Sequence, residues 1–123
     1  MKFLLKTLVI ILITPTSAFS DEALDTLWTK VFDSGSTNNS DHGRMAVQTN
    51  DGGFIVTGSR GASSYSDIWL IKTDVNGNEE WNKTFSEDHN DRAYSVLQAN
   101  DYGYVIVGSL SSNPVVIKTD AQG

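Results

Sequence analysis

The chain has 123 residues, no cysteine and a formal net charge of −6, with 15 Asp and Glu against 9 Lys and Arg. Without cysteine it forms neither disulfides nor thiolate metal sites. Its acidic balance repels phosphate backbones and anionic lipid, which argues against nucleic-acid and membrane-surface partners.

The first twenty residues have the pattern of a secretory signal peptide. Two lysines precede the short apolar run Leu8–Ile13, and small residues stand before a cleavage point at Asp21. The apolar run is too short to span a bilayer, although an uncleaved membrane anchor is the alternative. The sequence thus predicts a secreted, periplasmic or cell-surface protein that loses residues 1–20 and keeps an acidic lead-in at 21–26. Seven Lys and Arg then face 15 Asp and Glu, a net charge of −8.

Short β-branched and aromatic runs follow along the rest of the chain. Leu27–Phe32 alternates apolar and polar residues, which is typical of a strand. The same criteria predict strands at Met45–Thr49, Phe54–Gly58, Ile68–Thr73, Trp81–Phe85, Ala93–Ala99, Tyr104–Gly108 and Val115–Thr119. No stretch after the signal peptide has the 3.6-residue apolar period of a helix. The predicted fold class is all-β.

The connections between these strands are of two kinds. Tight turns of residues that tolerate positive φ are predicted at Asn50–Gly53, Asp74–Gly77 and Asn100–Gly103. Longer polar loops are predicted at Asp33–Gly43, Ser59–Asp67, Ser86–Arg92 and Ser109–Asn113. Successive connections of a meander fall at alternate ends of the sheet, so the turns should share one rim and the loops the other. Loop length varies while turn length does not, which favours the loop rim as a binding surface.

The strands recur as a repeat. NDGGFIVTGS at Asn50–Ser59 returns as NDYGYVIVGS at Asn100–Ser109, and IWLIKTDVNG at Ile68–Gly77 returns in shortened form at Val115–Gly123. LWTKVF at Leu27–Phe32 returns as EWNKTF. A period near 50 residues made of four short antiparallel strands is typical of a β-propeller blade.

These motifs resemble those of secreted bacterial and archaeal β-propeller repeat proteins of the kelch-like type. In the second copy the resemblance is carried by Trp81, Lys83, Phe85, Asp91, Ser95, Val96, Gln98, Asp101, Gly103, Tyr104, Gly108 and Ser109. It covers Leu27–Gly123, and it is specific for the repeat while implying little about activity. The implied architecture is about two four-stranded blades, with 27–32 as a closing strand, 44–85 as the first blade and 93–123 as an incomplete second blade.

Two blades are fewer than the four to eight that propellers usually have. We therefore expect the chain to be part of a longer protein that supplies further blades. The alternative is a two-blade protomer that assembles head to tail into a homo-oligomeric ring. A free two-blade monomer would leave its sheet edges unpaired.

Few residues have the spacing that catalysis or metal binding requires. Asp41-His42 and the Asp88-His89 pair could supply a general base or metal ligands, but no third ligand is spaced to join them, which favours solvated loop histidines. Asp41 and Asp91 recur at one repeat position, which predicts hydrogen bonds to backbone N–H groups and not catalysis.

The run Asp74-x-Asn76-x-Asn78 is similar to a calcium loop, but its glycine and glutamate do not follow the EF-hand pattern, so a hairpin turn is favoured. Trp28 and Trp81 occupy equivalent repeat positions, which favours core packing over exposed stacking platforms for sugars; Trp69 is the third tryptophan. No phosphate loop, nucleophile elbow or zinc-binding helix motif occurs. The sequence thus predicts no catalytic, cofactor-binding or metal-ligating residue and no cofactor.

The leading functional hypothesis is an exported, non-enzymatic module that binds a protein or polysaccharide through its loop rim. The candidate residues there are His42, His89, Asp41, Asp67, Asp88, Asp91, Arg60, Arg92 and Tyr65. An enzyme is the first alternative, because Asp74–Trp81 resembles the tryptophan docking motif of quinone-dependent dehydrogenases, although it is one residue shorter between Asp and Gly. The second alternative is a structural spacer at the cell surface.

Overall fold

The structure is a computed structural model that describes residues 27–35, 40–62, 64–87 and 90–123. Seven strands occur in this part of the chain: β1 (His42–Gln48), β2 (Phe54–Ala62), β3 (Tyr65–Thr73), β4 (Glu79–Phe85), β5 (Arg92–Gln98), β6 (Tyr104–Leu110) and β7 (Asn113–Lys118). None of the described residues belongs to a helix long and apolar enough to cross a bilayer. The predicted signal peptide and the acidic lead-in lie outside the described residues.

The strands form two antiparallel sheets. The first sheet has the order β1-β2-β3-β4 and the second sheet the order β5-β6-β7. Each strand therefore pairs with the one that precedes or follows it in the chain. The all-β prediction is confirmed, and the strands of both copies lie within a few residues of their predicted positions.

Two predicted loops are wrong, because the strands beside them continue as hairpins. Arg60 pairs with Asp67, and Ala62 pairs with Tyr65, inside the range predicted as a nine-residue loop. Polar residues are compatible with these strand ends since their backbone groups are satisfied by the ladder. The predicted loop at 109–113 shrinks to Ser111 and Ser112, whose φ angles of 46° and 70° suit a two-residue hairpin turn.

The prediction of a strand at Leu27–Phe32 is not confirmed, because this segment forms no ladder with any described strand. It packs on the first sheet through side chains. The Trp28 ring lies edge-on to Phe54, with centroids 5.5 Å apart and planes at 68°. Lys30 Nζ donates a hydrogen bond to Asn78 Oδ1 at 2.9 Å. The apolar side chains of Leu27–Phe32 explain why the segment packs on the sheet. Strand formation also requires a neighbouring strand with which its backbone can pair.

The hydrophobic core lies between the two sheets. The first sheet contributes Ile55, Ile68 and Leu70, and the second sheet contributes Ala93, Val96, Tyr104 and Ile106. These side chains are at most 2% exposed. Strand β5 lies against β1, β2 and β3 and so joins the sheets. Burial of apolar surface between the sheets is what holds them together.

The sequence repeat is also a repeat in space. Strands β1 and β5 each carry a bulge near their start. Gly58 and Gly108 occupy equivalent positions in β2 and β6, where a Cβ would collide with the carbonyl oxygen of His42 or of Arg92. Both glycines are thus required for close backbone approach beside a bulge.

Candidate functional site

The connections segregate to two rims, as predicted. The β1–β2 turn follows the ladder pair Gln48–Phe54, and the β5–β6 turn follows the ladder pair Gln98–Tyr104. Because Phe54 also pairs with Thr73, the turn between β3 and β4 lies at the same edge of the first sheet as the β1–β2 turn. The opposite edge, the loop rim, begins at pairs such as Leu110–Asn113. The two rims therefore offer different surfaces, which we call the turn rim and the loop rim.

The carboxylate of Asp41 organises the first part of the loop rim. It accepts hydrogen bonds from Ser34 N at 2.8 Å, Ser34 Oγ at 3.1 Å and Gly61 N at 3.2 Å. Burial raises the pKa of Asp41, but the hydrogen bonds from Ser34 and Gly61 outweigh it and leave the pKa below its ordinary value. The carboxylate ties residues 33–35 to the hairpin between β2 and β3.

Asp91 repeats this arrangement in the second sheet. Its carboxylate accepts hydrogen bonds from Glu87 N and Ser111 N, both at 2.8 Å, and it is fully buried. Its backbone is joined to Ser66 in the first sheet, whose carbonyl accepts from Asp91 N at 2.7 Å. The prediction that Asp41 and Asp91 bind backbone N–H groups is confirmed. These hydrogen bonds give both carboxylates a structural role.

A small groove opens on the loop rim where β1 and β5 meet. We call it the loop-rim groove; its volume is about 150 Å³, and it is lined by Ser40, His42, Arg44, Ser59, Gly61, Ser66 and Arg92. Three serines, two arginines and a histidine supply hydrogen-bond donors from both sheets. None of these described lining residues carries a carboxylate. This composition suits an anionic or hydroxyl-rich ligand.

The arginines of the chain are concentrated at this rim. There are three, Arg44, Arg60 and Arg92, and each lies near the loop end of its strand. Arg60 lies over the Trp69 ring, 5.6 Å from its centroid. Among the described residues, all ion pairs are made by lysines. Arg44 and Arg92 thus line the groove and make no ion pair with a described carboxylate.

The turn rim holds a second polar cluster around Lys72. The Lys72 ammonium group bonds to Asp51 Oδ2 and Glu80 Oε2, each at 2.9 Å, and donates to Thr73 O at 2.8 Å. Its side chain is only 4% exposed. With Tyr104 it lies in a cleft of about 490 Å³ between the sheets.

The charge state of this cluster limits its chemistry. Hydrogen bonds from the Thr49 hydroxyl and from Lys72 lower the pKa of Asp51 to about 2. Burial acts to lower the pKa of Lys72, but its hydrogen bonds to Asp51 and Glu80 raise it above the ordinary value. Near neutral pH, Lys72 stays protonated and Asp51 stays ionised. The protonated amine of Lys72 is then not a nucleophile, and the low pKa of Asp51 makes its carboxylate a weak base.

The Lys72 pair recurs in the second sheet, where Lys118 Nζ lies 2.7 Å from Asp101 Oδ2. A recurring pair indicates a structural role in each sheet. This pair was not predicted from the sequence, although the recurrence of Asp51 and Lys72 as Asp101 and Lys118 is a signal that could have revealed it.

The structure brings together only some of the predicted loop-rim residues. His42 lines the groove beside Arg92, while Asp88 and His89 lie outside the described residues. Tyr65 is 64% exposed at the tip of the β2–β3 hairpin. Asp67 and Arg60 are opposite each other in the backbone ladder of β2 and β3. Arg44 was not predicted as a residue of this site, because it reaches the groove through the packing of β1 on β5. A local sequence pattern does not predict that packing.

The calcium-like run at the turn rim is a hairpin turn. Asp74 Oδ1 accepts from the backbone N–H groups of Asn76 and Asn78, both at 2.8 Å. These bonds satisfy the carboxylate within its own turn. Across the described parts of the chain, no three His, Asp or Glu residues are grouped so that they could hold a metal ion.

Two of the three tryptophans are packed, and the third, Trp28, is partly exposed. Trp81 lies against Tyr104 between the sheets. Trp69 is 6% exposed, and its Nε1 donates to Asn82 Oδ1 at 3.2 Å. Trp28 packs on Phe54 and is 44% exposed. Core packing is thus confirmed for Trp81, the residue that ends the quinone-enzyme-like run.

Comparisons of the chain with protein-family models, with curated proteins and with solved structures each found no match. What the two rims can bind must therefore follow from their own residues.

Proposed function

We propose that this protein is an exported, non-enzymatic binding module, that its two sheets are β-propeller-type blades, and that its loop rim binds an acidic polysaccharide. One observation carries the proposal. Arg44 and Arg92 line a single groove and make no ion pair with a described carboxylate, in a chain whose net charge is negative. Such a local concentration of positive charge favours an anionic ligand.

The chemistry of the groove favours carboxylated sugars. A guanidinium group binds a carboxylate through two parallel hydrogen bonds. Serine hydroxyl groups from both sheets, at Ser40, Ser59 and Ser66, supply donors and acceptors that match sugar hydroxyls. The exposed ring of Tyr65 at the same rim offers a surface on which a sugar could stack.

The remaining charged groups favour binding over catalysis. At the loop rim, Asp41 and Asp91 are engaged by backbone N–H groups. At the turn rim, Lys72 and Asp51 hold each other in their charged forms. A hydrolase would need a carboxylate or imidazole poised to exchange a proton with its substrate, and the described lining of the groove offers the imidazole of His42 with no carboxylate beside it.

Titration calorimetry with polygalacturonate tests the proposal. The double variant Arg44→Gln, Arg92→Gln should bind at least roughly tenfold more weakly, because hydrogen bonds to charged groups are each worth about 1.5–3 kcal/mol. The double variant Lys30→Gln, Lys83→Gln is the matched control, since it removes the same charge from a different part of the surface. It should bind like the unmodified protein.

Four results would count against the proposal. Equal weakening in both double variants would indicate attraction to net charge alone. Unchanged binding in the arginine variant would place the ligand elsewhere. Equal binding of polygalacturonate and neutral dextran would show that carboxylates are not recognised, and binding of an acidic peptide alone would identify a protein ligand instead.

A further inference from the structure

The loop rim carries another groove on the second sheet, which we call the second groove. It is lined by Asn90, Arg92, Tyr94, Ser109 and Ser112. None of these described lining residues carries a carboxylate, and Arg92 makes no ion pair with a described carboxylate. The side chains supply a guanidinium group, an amide and hydroxyl groups. Like the loop-rim groove, the second groove therefore suits an anionic, hydroxyl-rich ligand.

The two grooves are equivalent by the repeat. Positions 40, 42, 44 and 59, which line the loop-rim groove, recur as positions 90, 92, 94 and 109, which line the second groove. The register is the same in both sheets, since His42 pairs with Ser59 in the first ladder and Arg92 pairs with Ser109 in the second. A groove at this place is therefore a feature of the repeated unit and does not depend on one particular loop.

Each groove contains the extra residue of a β-bulge. The ladder between β1 and β2 skips Arg44, and the ladder between β5 and β6 skips Tyr94. The extra residue of a bulge is left out of the ladder, and bulges re-aim side chains beside functional sites. The same bulge thus supplies a guanidinium group to the loop-rim groove and an aromatic ring, 52% exposed, to the second groove.

The recurring carboxylates hold the hairpins beside both grooves. Asp41 accepts a hydrogen bond from the backbone N–H of Gly61, which lines the loop-rim groove. Asp91 accepts the equivalent bond from Ser111 N, next to Ser112 of the second groove. Because these bonds fix the hairpins within the protein itself, less conformational freedom is lost when a ligand binds beside them.

The two grooves share Arg92. It lines the loop-rim groove together with Arg44 and Ser66 of the first sheet. It also lines the second groove, together with Tyr94 and Ser109 of its own sheet. The grooves therefore adjoin each other along the loop rim. The loop-rim groove also shows that this position of the repeat remains a groove where another sheet packs beside it.

We propose that the two grooves are successive subsites for one acidic polysaccharide chain, so that the protein recognises a polymer and not a single sugar. This inference rests on the proposed function and extends it along the loop rim. A repeating ligand suits a repeating surface, because once one uronate is bound in the loop-rim groove, binding of its neighbour in the second groove is an intramolecular event. Arg92 binds a carboxylate where the grooves meet, and the Tyr94 ring packs on the sugar in the second groove.

Titration calorimetry with galacturonate oligomers of defined length tests the proposal. The unmodified protein should bind hexagalacturonate about a hundredfold more tightly than digalacturonate, because the shorter ligand fills only one groove. Tyr94→Ala should weaken hexagalacturonate binding about fivefold and change digalacturonate binding by less than about twofold, since the loop-rim groove stays intact. Tyr94→Phe keeps the ring and should bind like the unmodified protein. The matched control is Tyr102→Ala, which removes a ring that is 60% exposed at the turn rim and should change neither affinity.

The outcomes separate this inference from the proposed function. Should hexagalacturonate bind no more tightly than digalacturonate, or bind equally well to Tyr94→Ala, while Arg44→Gln with Arg92→Gln still weakens binding, the ligand occupies the loop-rim groove alone and the inference is overturned. Equal weakening by Tyr102→Ala would also overturn it. If no galacturonate oligomer binds, the proposed function fails and this inference fails with it. Should Tyr94→Ala not fold, the length dependence measured on the unmodified protein decides.

Discussion

Trp81 lies edge-on to Tyr104 across the gap between the two sheets, with ring centroids 5.8 Å apart and planes at 62°. Trp81 belongs to the first sheet and Tyr104 to the second. This contact therefore links the stability of the two sheets. Of the two equivalent tryptophans, Trp81 should therefore contribute more to the stability of the protein than Trp28 does.

We predict that Trp81→Ala destabilises the protein by about 2–4 kcal/mol, because truncating a large packed ring leaves a cavity between the sheets. Urea unfolding followed by circular dichroism measures the effect. Trp28→Ala is the matched control and should cost about 1 kcal/mol, since that ring is 44% exposed and its loss removes mainly the pair with Phe54. Equal losses of unfolding free energy in the two variants would show that the contact between Trp81 and Tyr104 does not contribute more to stability than the contact between Trp28 and Phe54.

The buried ammonium group of Lys72 gives a second prediction. Lys72→Met should destabilise the protein by about 2–3 kcal/mol, since it deprives Asp51 and Glu80 of their partner. This loss of stability is smaller than that expected for a fully buried ion pair, because both carboxylates are partly solvated. Lys118→Met removes the equivalent residue, whose side chain is 45% exposed, and should cost under about 1 kcal/mol. Urea midpoints of the two variants test this difference, and a larger loss for Lys118→Met would contradict it.

Acid stability should depend on Asp51. Its pKa falls from the ordinary 3.8 to about 2 in the folded protein, so the unfolded chain binds more protons between these values. The stabilisation is complete above about pH 4 and is lost as the pH falls through 2. Asp51→Asn should flatten the pH dependence of the urea midpoint in this window. Thr49→Val, which removes the hydroxyl donor, should move the loss to higher pH, and an unchanged profile in both variants would refute the assignment.

The carboxylate of Asp91 should be more important than that of Asp41. Asp91→Ala leaves Glu87 N and Ser111 N without their acceptor at a fully buried site, and we expect a loss of about 3–5 kcal/mol. Asp41→Ala should cost about half as much, because water reaches that position. Urea unfolding with limited thermolysin digestion of the hairpins measures both. Equal stability of the two variants would mean that burial at Asp91 adds nothing.

The repeat is the reason why much of this structure could be predicted from the sequence. Residues that recur at one position, such as Asp41 and Asp91, have to serve the scaffold in both sheets, and their hydrogen bonds confirm it. The segregation of tight turns and loops followed from the alternation of connections in a meander. These inferences need only local spacing and its recurrence.

The predictions that the structure does not confirm, and the residues that were not predicted, depend on contacts between separate parts of the chain. Whether Leu27–Phe32 forms a strand depends on a neighbouring edge, which its own residues do not specify. The polar residues of 59–67 are equally compatible with a loop and with hairpin ends. The meeting of Arg44 and Arg92 depends on how β5 packs on β1, a contact between residues distant in sequence. Each miss concerns an interaction that a single stretch of chain cannot encode.

The strictly sequential strand order has a consequence for how the chain folds. Every ladder joins strands that are neighbours in the chain, so each sheet can form hairpin by hairpin, and closing a short turn carries little entropic cost. Isolated hairpins form in about 1–10 μs. The docking of β5 across β1, β2 and β3 is the step that joins distant parts of the chain. The folding rate should therefore respond to substitutions at Val96 and Ile55, between the sheets, more than to changes in the turns.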